Sequence, residues 1–126
     1  MKSTYKSTGK HDLEDRTLKF ASDILGFLEK IPKTIPNNEV AKQLARSAGS
    51  IGANYIEANE ALGKKDFLLR LRICRKEAKE TVYWLKLIRV KGDIIIDMHK
   101  NLLQEATELT KIFGSIVIKL QPPQNT

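Results

Sequence analysis

A single cysteine in 126 residues leaves nothing for an internal disulfide. Cys74 falls at a core-facing position of a helical pattern, which predicts a reducing compartment and an inert thiol. No apolar run approaches the roughly 20 residues that a bilayer-spanning helix needs. The opening stretch, MKSTYKSTGKHD, contains no hydrophobic signal region, so the cytoplasm is the expected location and no membrane partner is expected. Histidine is scarce too: His11 lies near the start, and His99 lacks the glutamate three residues earlier that the Glu-x-x-His pairs of a di-iron bundle require. A phosphate-cradling GxxxxGK[ST], a GxGxxG after a strand, a CxxC and a nucleophile elbow are all missing. The expectation is therefore a protein without metal, cofactor or catalytic residue.

What the chain does have is positive charge and helical periodicity. Lysine and arginine number 22 against 15 acidic residues, a net charge of +7 that favours a polyanionic partner such as RNA or DNA. The length suits one domain with a real core. Four helical segments account for nearly all of it. The first spans about Leu13 to Ile31, with Phe20, Ile24, Phe27 and Leu28 in helical spacing, and Pro32 and Pro36 end it. Asn37 or Asn38 is a candidate cap for the second, which continues to about Leu62 before Gly63. The third begins near Asp66 and runs to about Lys91, where Gly92 stops it. The fourth starts at Asp93 or Asp97 and lasts until Pro122 and Pro123. The isoleucines at 94 to 96 could form a strand, but it would have no mate. Short links predict an all-α, antiparallel up-down-up-down four-helix bundle over residues 12–120, with flexible tails at 1–11 and 121–126.

The second segment, LARSAGSIGANYIEA from Leu44 to Ala58, has three different sides. Val40, Leu44, Ala48, Ile51, Tyr55, Ala58 and Leu62 share a core face. Ala45, Gly49, Gly52 and Ile56 form a small face, and each glycine inside a helix costs about 1 kcal/mol relative to alanine. Close approach of another helix backbone is the expected compensation. Arg46, Ser50, Asn54 and Glu57 form a polar face that could meet Glu77 or Glu80 across a helix pair or a subunit boundary, fixing register by charge-assisted hydrogen bonds.

The third segment concentrates the charge. Between Lys64 and Lys91 stand ten basic and three acidic residues, an excess equal to the net charge of the whole chain. Phe67, Leu71, Cys74, Ala78, Thr81, Leu85 and Ile88 make a heptad-like core seam. Nearly opposite runs a basic stripe of Lys65, Arg72, Lys76, Lys79 and Lys86, flanked by Arg75 and Arg89, the expected nucleic-acid contact. Between seam and stripe lie Leu69, Ile73, Trp84 and Leu87, with Glu77 and Glu80 among them. Large apolar side chains outside a core seam predict a protein interface, so a homo-oligomer is expected.

The segment SIGANYIEA, followed by Asp66 and Phe67 and then RKEAKETVYWLKL from Arg75 to Leu87, resembles the bacterial four-helix-bundle family named after proteins encoded in intervening sequences of 23S ribosomal RNA genes. Gly52 stands where many relatives have proline, and Ala58 where many have glycine. The resemblance implies an all-helical protomer, a homopentameric ring, a nucleic-acid role and no catalytic residue. It also takes in accessory proteins of diversity-generating retroelements, which implies a protein-partner adaptor as the companion reading.

An enzyme remains the third reading. Glu57 and Glu60, Glu77 and Glu80, and Glu105 and Glu108 form three Glu-x-x-Glu pairs, whose carboxylates share a helix face and could hold Mg²⁺ as in all-helical nucleotide pyrophosphohydrolases. Such pairs are common on solvated helices, and no aspartate completes a dense cluster here.

Overall fold

The structure, a computed structural model, describes residues 10–122, with side chains from residue 12. Four helices follow one another: α1 (Lys10–Leu28), α2 (Ile35–Asn59), α3 (Lys64–Leu87) and α4 (Asp93–Leu120). Each packs on its neighbours in sequence, and α4 returns to α1 to close the bundle. Opposed pairs fix the directions. Glu14 meets Asn59 while Thr17 faces Gly52, Asn54 meets Arg70 while Ser47 meets Thr81, Arg75 faces Gly114 while Leu85 meets His99, and Arg16 meets Glu105 while Phe27 meets His99, so every adjacent pair runs antiparallel. Of the expected tails, the parts before residue 10 and after residue 122 lie outside the described residues, and Lys10 already opens α1. The isoleucines at 94 to 96 are helical. No described helix is long and apolar enough to cross a membrane.

The core comes from the expected periodicities. Phe20, Ile24 and Phe27 of α1, Leu44 and Ile51 of α2, Leu71 and Leu85 of α3, and Leu109 and Phe113 of α4 are sealed from solvent. Tyr55 tilts against Phe113 at 5.7 Å between ring centroids, joining α2 to α4 across the bundle axis. On α3 the seam is turned slightly from the heptad reading: Leu68 is buried while Phe67 is only partly so, and Glu77 is buried as well. Leu62, expected on the core face of α2, is fully exposed, because α2 ends at Asn59.

Helix ends differ from the sequence reading, and one residue explains two of the differences. Asn37 does not cap α2. Thr34 does, its hydroxyl accepting from the Asn37 N–H at 3.3 Å, with Pro36 in the first turn. Asn37 is instead buried, and its carboxamide donates to the carbonyls of Pro32 (3.0 Å) and Arg89 (2.9 Å) while accepting from the Arg89 N–H (2.9 Å). Those Arg89 groups would otherwise serve a continuing helix. Hence α3 stops at Leu87, Ile88 turns extended into the core, and Gly92, at φ +94°, allows the reversal into α4.

The seam between α1 and α4 is the slackest. These helices approach less closely than the other neighbours and leave a hollow of about 280 Å³ walled by Ser22, Gly26, Met98 and Asn101. Two devices close it. Arg16 forks onto Glu105 (2.7 and 2.8 Å) and reaches Glu108 (3.0 Å), and the bond from Glu105 is chief among the contacts that hold its pKa above the ordinary arginine value. At the other end the His99 ring tilts on Phe27, with its Nε2 at 2.6 Å from the Leu85 carbonyl.

Replacing Asn37 by alanine strands backbone groups of the 29–34 loop and of the α3–α4 link. Asn37→Ala should lower unfolding free energy by about 3 kcal/mol in urea titrations; a loss below about 1 kcal/mol would show that the carboxamide is not the tie described.

Candidate nucleic-acid interface

Lys65, Arg72, Arg75, Lys76, Lys79, Lys86 and Arg89 are all exposed. None forms an ion pair with a described residue, so their charge is turned to solvent. Helical periodicity sets Arg72, Arg75, Lys79 and Lys86 on the α4 side of α3, with Lys65 and Lys76 further out. There the fold adds what the α3 pattern alone could not contain. Lys79, Val82 and Lys86 face Thr107, Thr110 and Lys111 of α4 across a hollow of about 300 Å³. Nearer the α3 start, Lys64, Lys65 and Arg72 surround a larger hollow of about 610 Å³ floored by Leu68 and Leu120. Gly114 helps to shape this flank, because a Cβ there would stand 3.4 Å from Arg75 Cδ. The result is a cationic furrow along the α3–α4 flank with hydroxyls on its wall. Such a surface attracts phosphates, and neither hollow is lined by a carboxylate.

The opposite side of α3 is tied to α2. Arg46 donates through Nη1 to Glu77 (3.3 Å) and through Nη2 to Glu80, while its Nε reaches Gln43 (3.3 Å). Trp84 Nε1 donates to the same Glu80 carboxylate at 3.0 Å. That hydrogen bond is the main reason the Glu80 pKa lies below the ordinary value, with the Arg46 charge adding to it. Deeper in, Thr81 donates to Ser47 Oγ (2.9 Å) and the Cys74 thiol approaches the Ile51 carbonyl (3.5 Å). At the far end Arg70 donates to Asn54 Oδ1 (3.1 Å), and Asn54 Nδ2 donates to Ser50. Arg46, Ser50, Asn54, Glu77 and Glu80 are thus joined, with Arg70, along the α2–α3 pair of one chain. Glu57 stays exposed, outside this network.

The two glycines of α2 part company. A Cβ on Gly52 would lie 2.8 Å from Thr17 Oγ1, so this glycine is used for the close approach of α1. Gly49 faces open space. On the same flank Leu18 (70% exposed), Leu25 (54%) and Ile56 (51%) leave an apolar strip between α1 and α2, and nothing in the sequence distinguishes Leu18 and Leu25 from scattered helix-surface leucines. Leu69 and Leu87 are exposed on α3, whereas Ile73 and Trp84 are partly buried.

The remaining chemistry is largely committed. Cys74 is buried, and loss of water pushes its thiol pKa up to about 12, far from a nucleophile's range. Two of the three Glu-x-x-Glu pairs are closed by arginine: Glu77–Glu80 by Arg46, and Glu105–Glu108 by Arg16. Glu57 and Glu60 are exposed and form no ion pair with a described residue.

A family model described as 23S rRNA-intervening sequence protein matches residues 10–115. Among solved structures, the chain is similar to a protein of unknown function from the S23 ribosomal protein family of Bacteroides thetaiotaomicron VPI-5482. The two share 30% identity at a TM-score of 0.69, over 88% of this chain and 99% of that one. No curated protein matches.

The depressed Glu80 pKa carries a pH consequence. A carboxylate held below its unfolded value stabilises the fold above that value, near 4.5, and this contribution is lost as pH falls through the lower, folded value. Thermal midpoints of wild type should therefore drop more steeply below pH 4.5 than those of Glu80→Gln. Parallel curves would show that the ion pair and the Trp84 bond add nothing to stability.

Proposed function

This chain belongs to the family of 23S rRNA-intervening sequence proteins, and from that premise we propose that it is a non-catalytic, self-associating protein that binds RNA or DNA along its α3–α4 flank. One observation carries the reading: Lys65, Arg72, Arg75, Lys76, Lys79 and Lys86, exposed cations that form no ion pair with a described residue, stand on α3, Arg89 follows just past its end, and Lys111 of α4 faces Lys79 and Lys86. Phosphate contacts from Arg72, Arg75, Lys79, Lys86 and Lys111 would release counterions, so affinity should fall steeply with salt. Self-association is supported by the uncharged strip of Leu18, Leu25 and Ile56 on the flank of the open Gly49. A pentameric ring is the assembly implied by the family resemblance. The same strip, with Leu69 and Leu87, would equally suit a protein partner, which keeps an adaptor as the second reading. A Mg²⁺-dependent pyrophosphohydrolase draws no support, since arginines engage most of the carboxylates it would need.

Two measurements test these statements. Fluorescence anisotropy with structured RNA and duplex DNA should give binding whose log–log salt slope shrinks by about 3 when Arg72, Lys76 and Lys79 are reversed to glutamate; no binding by wild type at low salt would end the nucleic-acid reading. Light scattering should report an oligomer that Leu25→Lys with Ile56→Lys reduces to a folded protomer. An unchanged mass would remove the α1–α2 flank from the interface.

A further inference from the structure

Tyr83 is the aromatic side chain that the described residues leave most open, at 56% exposure, whereas the phenylalanines and Tyr55 are buried or partly so. Its place is specific. Lys79 precedes it by four residues and Lys86 follows by three, one helical turn to either side, and Lys76 lies a further turn back; all three are exposed. The ring is also braced. It meets Trp84 edge-on, with centroids 4.9 Å apart and planes at 73°. Trp84 is in turn anchored through Nε1 to Glu80, and Glu80 to Arg46 of α2. A half-exposed aromatic ring therefore rests against an anchored neighbour, with a lysine one helical turn away on either side.

We propose that Tyr83 is a stacking platform for an unpaired nucleobase, with Lys79 and Lys86 taking the phosphates on either side. The inference rests on the nucleic-acid reading above and narrows it. Inside a duplex both faces of a base are covered by its neighbours, so a stacking tyrosine selects single-stranded stretches: loops, bulges or frayed ends. Because every base has a π face, such a contact favours unpaired structure without favouring a sequence. The Arg46–Glu80–Trp84 chain then has a second task besides joining α2 to α3. It positions the ring and so lowers the ordering cost of stacking.

The test compares a 12-nucleotide oligouridine, a hairpin with an open loop and a blunt duplex, each titrated by anisotropy against wild type, Tyr83→Ala, Tyr83→Phe and the Lys79→Glu/Lys86→Glu double variant. Tyr83→Ala should weaken oligouridine and loop binding by about 5- to 100-fold, leave the blunt duplex within about twofold, and be rescued by Tyr83→Phe. Trp84 emission should change when oligouridine binds wild type and stay constant in Tyr83→Ala. If Tyr83→Ala binds oligouridine as tightly as wild type while the double lysine variant does not bind, the platform is refuted and the nucleic-acid reading stands. If wild type binds none of the three at low salt, both fall together. Circular dichroism of Tyr83→Ala establishes that the helices persist, and Tyr83→Phe retains the Trp84 contact should they not.

Discussion

The crossing of Arg46 onto Glu77 and Glu80 sets the rotation of α3, and with it the direction in which every other side chain of that helix points. Glu77 is buried, and a buried carboxylate is tolerated only where a cation and good geometry offset its lost hydration. Turning α3 by one residue would take Glu77 away from its guanidinium, break the Thr81–Ser47 bond and misalign Arg70 with Asn54. These ties mark one side of the helix as the α2 side. The basic residues occupy the other side, so the furrow against α4 is the geometric complement of the polar contacts with α2.

Much of this was legible in the sequence, and the exceptions have physical causes. Apolar spacing of three and four found all four helices and nearly all of the core, because periodicity reports which face is dry whatever lies opposite it. Helix ends were less readable. The early stop of α3 depends on Asn37, more than fifty residues away in the chain, and no local signal at Arg89 announces that its backbone is claimed. Gly49 and Gly52 look alike in the sequence, yet one abuts Thr17 and the other faces solvent, a difference created by how α1 crosses α2. Likewise the α3 stripe could be read from charge alone. Lys111 and the threonines beside it could not, since their membership depends on the register of α3 against α4.

The bundle also keeps its two unsatisfied surfaces apart. One exposed apolar strip, Leu18, Leu25 and Ile56, lies where α1 meets α2, and Lys79, Lys86 and Lys111 line the hollow where α3 meets α4, on the opposite flank of the same four rods. Copies joined by the first flank would leave the second free. Like charges would then be spread around the outside of an assembly rather than pressed together at its joints, where repulsion would oppose association.

The slack seam between α1 and α4 has a consequence for how the molecule breathes. With α1 gripped on its α2 side and only pinned on the other by Arg16 and by the His99–Phe27 contact, the least costly excursion from the native state swings the first helix outward and leaves α2, α3 and α4 together as a three-helix remnant. Backbone amides would record this as a gradient, with α1 trading its protons for solvent deuterium ahead of the α2–α3 pair.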